Sequence, residues 1–533
     1  MKKIFLVFAM VLFALTSCSL NDSSSDNSSP TPVLPDPKPE EKKATVILES
    51  EYFTEGKKTS DWLFVFYLDG DNSIESNIWT DLNEIEYGLG FVREVDGSTK
   101  SDYESARCVV LWDGKNGDRA NSHVYEIGAD DKIDLKLNGT TMDISGVGFI
   151  KDNEVDMSDC STLEKFLVWV NEHYSAKKTV LQIADHGCGA GGISTHLNDS
   201  TRTMLEDSTT SSYSIMTTRE FASGLKNAGY GVSKKFDLML FDICFGSSIE
   251  ELYEFRNFSK YYIGSPNATP GPGFSYHNFF KNLKKGIETE SFGRKLCDIF
   301  ESDYYKFQIY WKNISRMCYN TTDPGNEKLA EMNWGTCLSG DYTIPTITMV
   351  NLSKVELCAD KVDALACAIK DKTKFKKYLY VDTSKFPVAS SSNYLYYPTL
   401  TPRIDSPWTF DIGYFASKVY GDEESDAEIK SAAKELMDVL QVAICTSWRG
   451  SLYTLNGELC PISKLEETET ISFYKYLDLN CCGISISGGS RVNSGLNNYY
   501  LKTGKICSWY ESELLFGARS GGWTDLLKSW FVE

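Results

Sequence analysis

The stretch FDLMLFDICFGSSIEELYEFR, residues 236–256, constrains the fold more than any other part of the chain. Residues 236–241 form an apolar run interrupted only by Asp237, which is typical of a strand buried on both faces of a parallel sheet. A Gly-Ser-Ser turn follows, and from Ile249 onward apolar residues recur at helical spacing. Cys244 is therefore predicted at the carboxyl end of a central strand, just before a helix begins.

The position of Cys244 supports two interpretations. Ligands of open α/β sheets bind beyond the carboxyl ends of the strands, and a helix N-terminus favours a thiolate over a thiol. A free cysteine is also often no more than a small buried apolar residue. Position alone leaves both interpretations open, and a partner histidine has to decide between them.

The first half of the chain alternates between predicted strands and helices. Strands are predicted at 61–71, 108–112 and 179–184, and the helix before the last of these has capping-box spacing at Ser161 and Glu164. This alternation predicts an α/β fold with a mostly parallel sheet and helices on both faces.

One of the five histidines, His186, follows the predicted strand 179–184. The carboxyl ends of neighbouring parallel strands meet at one edge of a sheet, so we expect His186 and Cys244 over the same crevice. A thiol beside an imidazole is a pairing that cysteine nucleophiles use. The histidine therefore favours Cys244 as a nucleophile rather than a packing residue.

Residues 1–18 have the pattern of a targeting segment. Lys2 and Lys3 precede an apolar run that is too short to span a bilayer as a permanent helix and that ends in Leu-Thr-Ser-Cys. This ending resembles the bacterial lipobox, whose cysteine, here Cys18, is lipidated; an ordinary secretory signal is the alternative. We expect a lipoprotein held outside the cytoplasm, in the outer membrane or at the cell surface.

Composition predicts a tether and argues against nucleic acid as a partner. Residues 19–60 begin with Ser, Asn, Asp and Pro and with few large apolar groups, so we expect a disordered tether. The formal charge is −20, with no basic block beyond the first residues, whereas phosphate binding needs a concentrated basic surface.

The segment Asp69–Ser73 has the acids of a calcium loop but fails the EF-hand pattern. Ile74 and Thr80 stand where that loop needs Gly and Glu. We therefore assign no cofactor and no metal site, and calcium stays open.

Several blocks of the chain resemble one known family. HGCGAGG at 186–192 and FDICFGSSIEELYEFR at 241–256 resemble the two catalytic blocks of clostripain-type cysteine peptidases. DWLFVFYLDGDNSIE at 61–75 and YYIGSPNATPGPGFSY at 261–276 are also similar to this family, and SGGWTDLL at 520–527 is similar to a weaker landmark. The resemblance implies a caspase-like α/β sandwich.

The resemblance also implies a domain division. Residues 61–290 would form the catalytic domain, where the matching blocks are strongest. Residues 291–533 carry no catalytic motif and are predicted to form a C-terminal α/β domain that packs on it.

The resemblance implies a role for each matching residue. Cys244 would be the nucleophile and His186 the general base and acid, with the backbone N–H groups of Gly187 and Cys244 as oxyanion donors. Asp242 matches a pocket-lining position, where a carboxylate favours Arg or Lys before the cleaved bond; an acid that caps the following helix is the alternative. Some relatives cut the loop between the two blocks, which implies self-cleavage near Arg202.

The leading prediction is a lipid-anchored cysteine endopeptidase that acts on proteins or peptides. Two alternatives stay open, a non-catalytic binding or adhesion lipoprotein on the same fold and a transpeptidase that uses the same thiol. The presence of both His186 and Cys244 argues against the first, and the reaction products would distinguish the second. A serine hydrolase is disfavoured because no Gly-x-Ser-x-Gly elbow follows a predicted strand.

Overall fold

The computed structural model describes residues 43–72, 74–95, 106–115, 117–130, 136–187, 205–207, 214–267, 269, 273–310, 346–371, 374–379, 399–400, 409–449, 482–487, 510–511 and 514–531. The strands are β1 (Thr45–Leu48), β2 (Lys58–Gly70), β3 (Ala106–Gly114), β4 (His123–Glu126), β5 (Met142–Ser145), β6 (Tyr174–Ala184), β7 (Leu205–Asp207), β8 (Ser214–Met216), β9 (Phe236–Asp242), β10 (Ser259–Gly264), β11 (Thr346–Asn351), β12 (Thr399–Leu400), β13 (Thr409–Asp411), β14 (Ile444–Arg449) and β15 (Ser485–Ser487).

The helices are α1 (Glu49–Tyr52), α2 (Glu75–Val95), α3 (Cys160–His173), α4 (Thr218–Asn227), α5 (Ile249–Phe255), α6 (Tyr276–Asn282), α7 (Thr289–Tyr310), α8 (Val355–Ala368), α9 (Ile412–Gly421), α10 (Ala427–Ala443), α11 (Leu515–Arg519) and α12 (Gly521–Phe531). Short 3-10 helices lie at Gly117–Arg119, Leu352–Lys354 and Lys374–Leu379. Within the described ranges, no helix has the length and apolar character needed to cross a membrane.

A ten-stranded sheet in the order β1-β5-β4-β3-β2-β6-β9-β10-β11-β14 forms the centre of the fold. The five strands β3, β2, β6, β9 and β10 run parallel to one another, and antiparallel pairs lie on both sides of them. The prediction of a mostly parallel sheet is confirmed. β11 and β14, which follow residue 290, extend this same sheet.

Both faces of the sheet are covered, which explains the uninterrupted apolar strands. In β9, Met239 and Phe241 pack in one core with α3, α4, α5 and α8, whereas Leu238 and Leu240 pack in a second core with α2, α6 and α7. Successive side chains of a strand point to opposite faces, so a strand covered on both sides needs apolar residues at nearly every position. The predicted layer of helices on each face is confirmed.

One predicted helix start was wrong and another is confirmed. Asp159 caps α3 by accepting the N–H of Ser161 at 2.8 Å, so Ser161 is inside the helix and does not form a capping box with Glu164. The helix predicted from Ile249 onward is α5, which Ser248 caps and which begins five residues after Cys244. Because the field of a helix N-terminus falls off within about one turn, α5 gives little support to a thiolate at Cys244.

The tether was predicted to extend too far. Residues 45–60, assigned to it above, form β1, α1 and the first part of β2, and β1 pairs in parallel with β5 at the edge of the sheet. A strand of four residues is too short to give a clear periodic signal. Residues 1–42 lie outside the described residues, and so does the predicted lipidation site Cys18.

Segments near the end of the chain pack on α5. Glu250 is fully buried, and its Oε1 accepts the N–H of Ser487 at 2.9 Å and the hydroxyl of Tyr510 at 2.6 Å. Glu254 Oε1 accepts the N–H of Leu515 at 2.7 Å. The helix that follows the candidate nucleophile is therefore held by hydrogen bonds to segments that lie more than 200 residues later in the chain.

We predict that Glu250→Ala lowers the free energy of unfolding by about 2–4 kcal/mol, because the Ser487 N–H and the Tyr510 hydroxyl would stay buried without an acceptor. Tyr510→Phe, which removes one donor only, should cost about 1 kcal/mol. Urea unfolding of both variants checks this, with Glu423→Ala, at an exposed position, as the control. Equal stability of Glu250→Ala and the control would contradict the prediction.

Candidate active site

The register of two strands brings His186 and Cys244 to one edge of the sheet. β6 and β9 are parallel neighbours, and their last pair in register is Ala184 with Asp242. His186 and Cys244 each follow two residues later in the chain, and both are partly exposed. The two candidate residues therefore lie at equivalent positions, each two residues beyond the last paired residue of adjacent strands.

Gly187 lies directly against the backbone of Cys244. A Cβ atom at position 187 would lie 2.4 Å from the carbonyl oxygen of Cys244, 3.0 Å from its nitrogen and 2.8 Å from the Cβ of Ile243. No side chain fits at these distances, so a glycine is required for the chain after His186 to approach the chain at Cys244.

The turn after Cys244 has an unusual backbone conformation. Phe245 has φ of 60°, in the left-handed region that non-glycine residues rarely adopt, and its N–H donates to the carbonyl of Asn267 at 2.8 Å. The thiol of Cys244 donates to the carbonyl of Thr269, with Sγ and O 3.8 Å apart. The connection after β10 thus contacts both the candidate nucleophile and the residue that follows it.

A buried hydrogen bond supports the end of β6. Asn72 Nδ2 donates to Asp185 Oδ1 at 2.7 Å, and the same carboxylate oxygen accepts the N–H of His186. Asp185 is buried. The backbone that presents His186 is therefore attached to the end of β2, the neighbouring strand.

Asp242 is buried, and its carboxylate is used by the segment that follows β10. Its Oδ2 accepts the N–H of Phe274 at 3.0 Å and the hydroxyl of Tyr276 at 2.9 Å, while Gly273 leaves no room for a Cβ atom beside it. The alternative that Asp242 caps the helix after Cys244 was wrong, because Ser248 caps α5.

Two further carboxylates from α2 lie near Asp242. Glu84 accepts the N–H of Tyr276 at 2.8 Å, and its Oε2 lies 3.3 Å from Nδ1 of the fully buried His277. Burial raises the pKa of Asp242 to about 7, although the bonds from Tyr276 and Phe274 lower it and Glu84 raises it further. Burial also raises the pKa of Asp81, and the charges of Asp242 and Glu84 add to that effect.

One other cluster has the ligand chemistry of a cation site. Carboxylate oxygens of Asp71, which follows β2, of Asp113, near the end of β3, and of Glu154 lie within 4.8 Å of one another. Oxygen ligands of this kind suit a hard cation such as calcium. Lys115 Nζ lies 3.9 Å from Asp71 Oδ1, and Ser122 Oγ donates to Asp113 Oδ1 at 2.7 Å, so protein groups already interact with two of the acids.

The structure brings four of the predicted site residues to one edge of the sheet: His186, Gly187, Asp242 and Cys244. Arg202, the predicted self-cleavage position, lies outside the described residues. Sequence reasoning missed Thr269 and Tyr276, which contact Cys244 and Asp242. Both lie within the block 261–276 that resembles the family, and this was the only signal that could have pointed to them.

Comparisons with known proteins identify the family of the chain. A sequence model described as the clostripain family (Peptidase_C11) matches residues 66–530. The chain belongs to the clostripain family. It is accordingly a clostripain-like cysteine endopeptidase, as the resemblance implied.

Individual relatives are distant in sequence. Clostripain from Hathewaya histolytica is 22% identical over 508 residues, which cover 88% of this chain and 86% of that protein. The structure resembles that of a secreted C11 cysteine protease from Bacteroides thetaiotaomicron in complex with an irreversible peptide inhibitor, with a TM-score of 0.51, 15% identity, and coverage of 86% of this chain and 99% of that one. An inactive zymogen C11 protease from Parabacteroides distasonis gives a TM-score of 0.51 at 17% identity, with coverage of 86% and 97%. At these identities the two structures support the fold.

We predict that Gly187→Ala lowers kcat by about 100-fold, because the added methyl would push the chain after His186 away from Cys244, and an ångström of misplacement at a reacting centre can cost that much. Peptide hydrolysis by the folded variant checks this. Gly148→Ala is the control, since a Cβ atom there meets nothing within 4 Å. Unchanged kcat in Gly187→Ala would show that the close approach is not needed.

Proposed function

We propose that Cys244 and His186 form the catalytic dyad of this peptidase. One observation carries the proposal: β6 and β9 pair in parallel up to Ala184 and Asp242, and both residues follow that pair by two positions. The contact of Gly187 with the backbone of Cys244 supports it, because that contact brings two candidate oxyanion donors, the N–H groups of Gly187 and Cys244, into neighbouring positions.

The proposed reaction is acyl transfer to the thiol followed by hydrolysis. His186 takes the proton from Cys244 Sγ, and the thiolate attacks the carbonyl carbon of the cleaved bond. The N–H groups of Gly187 and Cys244 donate to the oxyanion, and donors of this kind typically contribute 10²–10³-fold each. His186 then gives its proton to the leaving amine, and a water molecule, deprotonated by His186, releases the acyl group from Cys244.

We further propose that Asp242 gives the enzyme its preference for Arg, and less strongly for Lys, before the cleaved bond. Asp242 is the last residue of β9 and lies two residues before Cys244. Its ionisation is disfavoured first by burial and then by the charge of Glu84, and the charge of Asp242 in turn raises the pKa of the buried Asp81. A guanidinium group that reached this cluster would relieve that repulsion and form a charge-assisted hydrogen bond.

The remaining parts of the proposal concern the lipid anchor, the location of the protein and the C-terminal segment. Lipidation at Cys18 would anchor the chain outside the cytoplasm, in the outer membrane or at the cell surface, and the substrates would be extracytoplasmic proteins or peptides. A secreted relative is consistent with that location. The segment after residue 290 would act as a C-terminal α/β domain, and the hydrogen bonds that Ser487, Tyr510 and Leu515 donate to Glu250 and Glu254 support this. Mass spectrometry of membrane-extracted protein tests the anchor, and a mature chain without diacylglycerol at Cys18 would rule it out.

We predict that Cys244→Ala and His186→Ala each lower kcat at least about 1,000-fold, because nucleophile and base act as one unit. The assay is hydrolysis of a fluorogenic peptide that ends in Arg, with labelling by an acyloxymethyl-ketone probe. Cys367→Ala, which removes an exposed thiol, is the control and should keep full activity. Activity in Cys244→Ala would refute the dyad.

The same preparations test self-cleavage. Intact-mass analysis should find the wild-type chain cut near Arg202 and the Cys244→Ala chain uncut. Active wild-type enzyme that consists only of uncut chain would remove this part of the proposal.

We predict that Asp242→Asn lowers kcat/KM for peptides ending in Arg by about 100-fold or more. The variant loses the charge-assisted hydrogen bond to the guanidinium group of the substrate and leaves that desolvated group without a charged partner. Peptides ending in Ala or Leu should change little. An equal loss for all of these peptides would show that Asp242 has a structural role only.

The same substitution has a second expected effect, on stability. Between pH 4 and 7 the folded chain keeps a proton on Asp242 that the unfolded chain has released, so this group makes stability fall as pH rises. Asparagine can accept the bonds from Tyr276 and Phe274 through its amide oxygen and has no charge to bury. Relative to wild type, Asp242→Asn should therefore gain stability from pH 4 to 7 and level off above, as measured by urea unfolding. A difference that does not change with pH would contradict the pKa shift.

A further inference from the structure

One short segment contacts three consecutive residues at the candidate nucleophile. We call residues 265–269 the 265–269 segment; it follows β10, and Ser265 to Asn267 and Thr269 are described. The hydroxyl of Thr269 donates to the carbonyl of Ile243 at 2.7 Å, and its own carbonyl accepts the thiol of Cys244. Asn267 accepts the N–H of Phe245 at 2.8 Å.

The bond from Thr269 acts on the peptide unit that contains a proposed oxyanion donor. The carbonyl of Ile243 and the N–H of Cys244 belong to one rigid, planar peptide group. Fixing the direction of the carbonyl therefore fixes the direction of the N–H on its other side. A hydrogen bond to the carbonyl oxygen also polarises the amide, which makes its N–H a better donor.

The peptide group that follows Cys244 is also fixed by hydrogen bonds. Phe245 keeps its positive φ while its N–H bonds to Asn267, and Ser265 Oγ bonds to the carbonyl of Asn267 at 2.9 Å. Ser265 Oγ is in turn 2.7 Å from Oγ1 of Thr346 on β11. Strained backbone of this kind persists only where its surroundings determine it. The peptide groups on both sides of Cys244 are thus fixed by the same segment.

We propose that Thr269 is a positioning residue for catalysis: its hydroxyl orients and polarises the Ile243–Cys244 peptide so that the N–H of Cys244 points at the developing oxyanion. This inference rests on the proposed function, in which Cys244 is the nucleophile and its N–H an oxyanion donor. The hydroxyl of Thr269 touches no reacting atom in this scheme and acts through the peptide group of Cys244, whereas the backbone carbonyl that accepts the thiol is kept in any substitution at this position.

The test uses two substitutions that differ in a single group. Thr269→Val keeps the shape of the side chain and removes the hydroxyl, whereas Thr269→Ser keeps the hydroxyl. We expect Thr269→Val to lower kcat about tenfold with KM changed less than about twofold, a smaller loss than removing a donor outright. Thr269→Ser should retain most of the wild-type kcat. Thr348→Val is the matched control, because Thr348 is a buried threonine on β11 whose hydroxyl has no hydrogen-bond partner among the described residues.

A second measurement separates oxyanion support from damage to the thiol or the fold. Alkylation of Cys244 by iodoacetamide displaces iodide at carbon and forms no oxyanion, so Thr269→Val should alkylate Cys244 within about twofold of the wild-type rate. The rate is followed by mass spectrometry of the peptide that contains Cys244. Equal losses in alkylation and hydrolysis, equal losses in Thr269→Val and Thr269→Ser, or a wild-type kcat in Thr269→Val would each overturn the inference.

The outcomes also separate this inference from the proposed function. If Cys244→Ala keeps its activity, the proposed dyad fails, and the inference about Thr269 fails with it. If Cys244→Ala is inactive while Thr269→Val hydrolyses peptide like wild type, the dyad stands and only the role of Thr269 is refuted.

Discussion

The parallel pairing of β6 with β9 is the interaction on which the rest of the site depends. Hydrogen bonds between these strands fix the pairs from Val180 with Leu238 to Ala184 with Asp242. Because side chains alternate between faces, a slip of one residue would turn every side chain of the strand from its own core to the core on the opposite face. Such a slip is therefore strongly disfavoured. The register of the strands, set by core packing, thus also sets the level at which His186 and Cys244 leave the sheet.

Five buried carboxylates around this pair of strands each accept a backbone N–H from a residue outside the central sheet. Glu84 accepts from Tyr276, Asp242 from Phe274, Glu250 from Ser487, Glu251 from Ser248 and Glu254 from Leu515. Chain that leaves a sheet still needs partners for its buried N–H groups, and a carboxylate supplies them strongly. Burial disfavours the charged form of a carboxylate. It accordingly raises the pKa of Glu250 and raises that of Glu251 to about 8. Stability should therefore fall as pH rises from the ordinary pKa of a glutamate, about 4.5, to the raised pKa of Glu251, about 8.

The part of the fold that follows from periodic burial could be predicted from sequence. The apolar run at 236–241 and the strand before His186 could be identified because a strand covered on both faces needs apolar residues at nearly every position. The start of α3 could not be placed as well, since Asp159 and Ser161 are both acceptable caps and only the backbone decides between them. Nor could sequence find β1, or the bonds that Thr269 and Tyr276 make, because contacts between loops distant in sequence leave no period to detect.

The connection between β10 and α6 supports both the proposed nucleophile, Cys244, and the carboxylate that we propose for specificity, Asp242. Its first part, the 265–269 segment, bonds to Ile243, Cys244 and Phe245, and its last part, at Phe274 and Tyr276, bonds to Asp242. A basic side chain that bonds to Asp242 would compete with Phe274 and Tyr276 for the same carboxylate, and would then act on the chain that orients the peptide group of Cys244. In the proposed scheme, substrate recognition by Asp242 and oxyanion support by the N–H of Cys244 are therefore linked, so a substrate that lacks the basic group is expected to lose kcat as well as affinity.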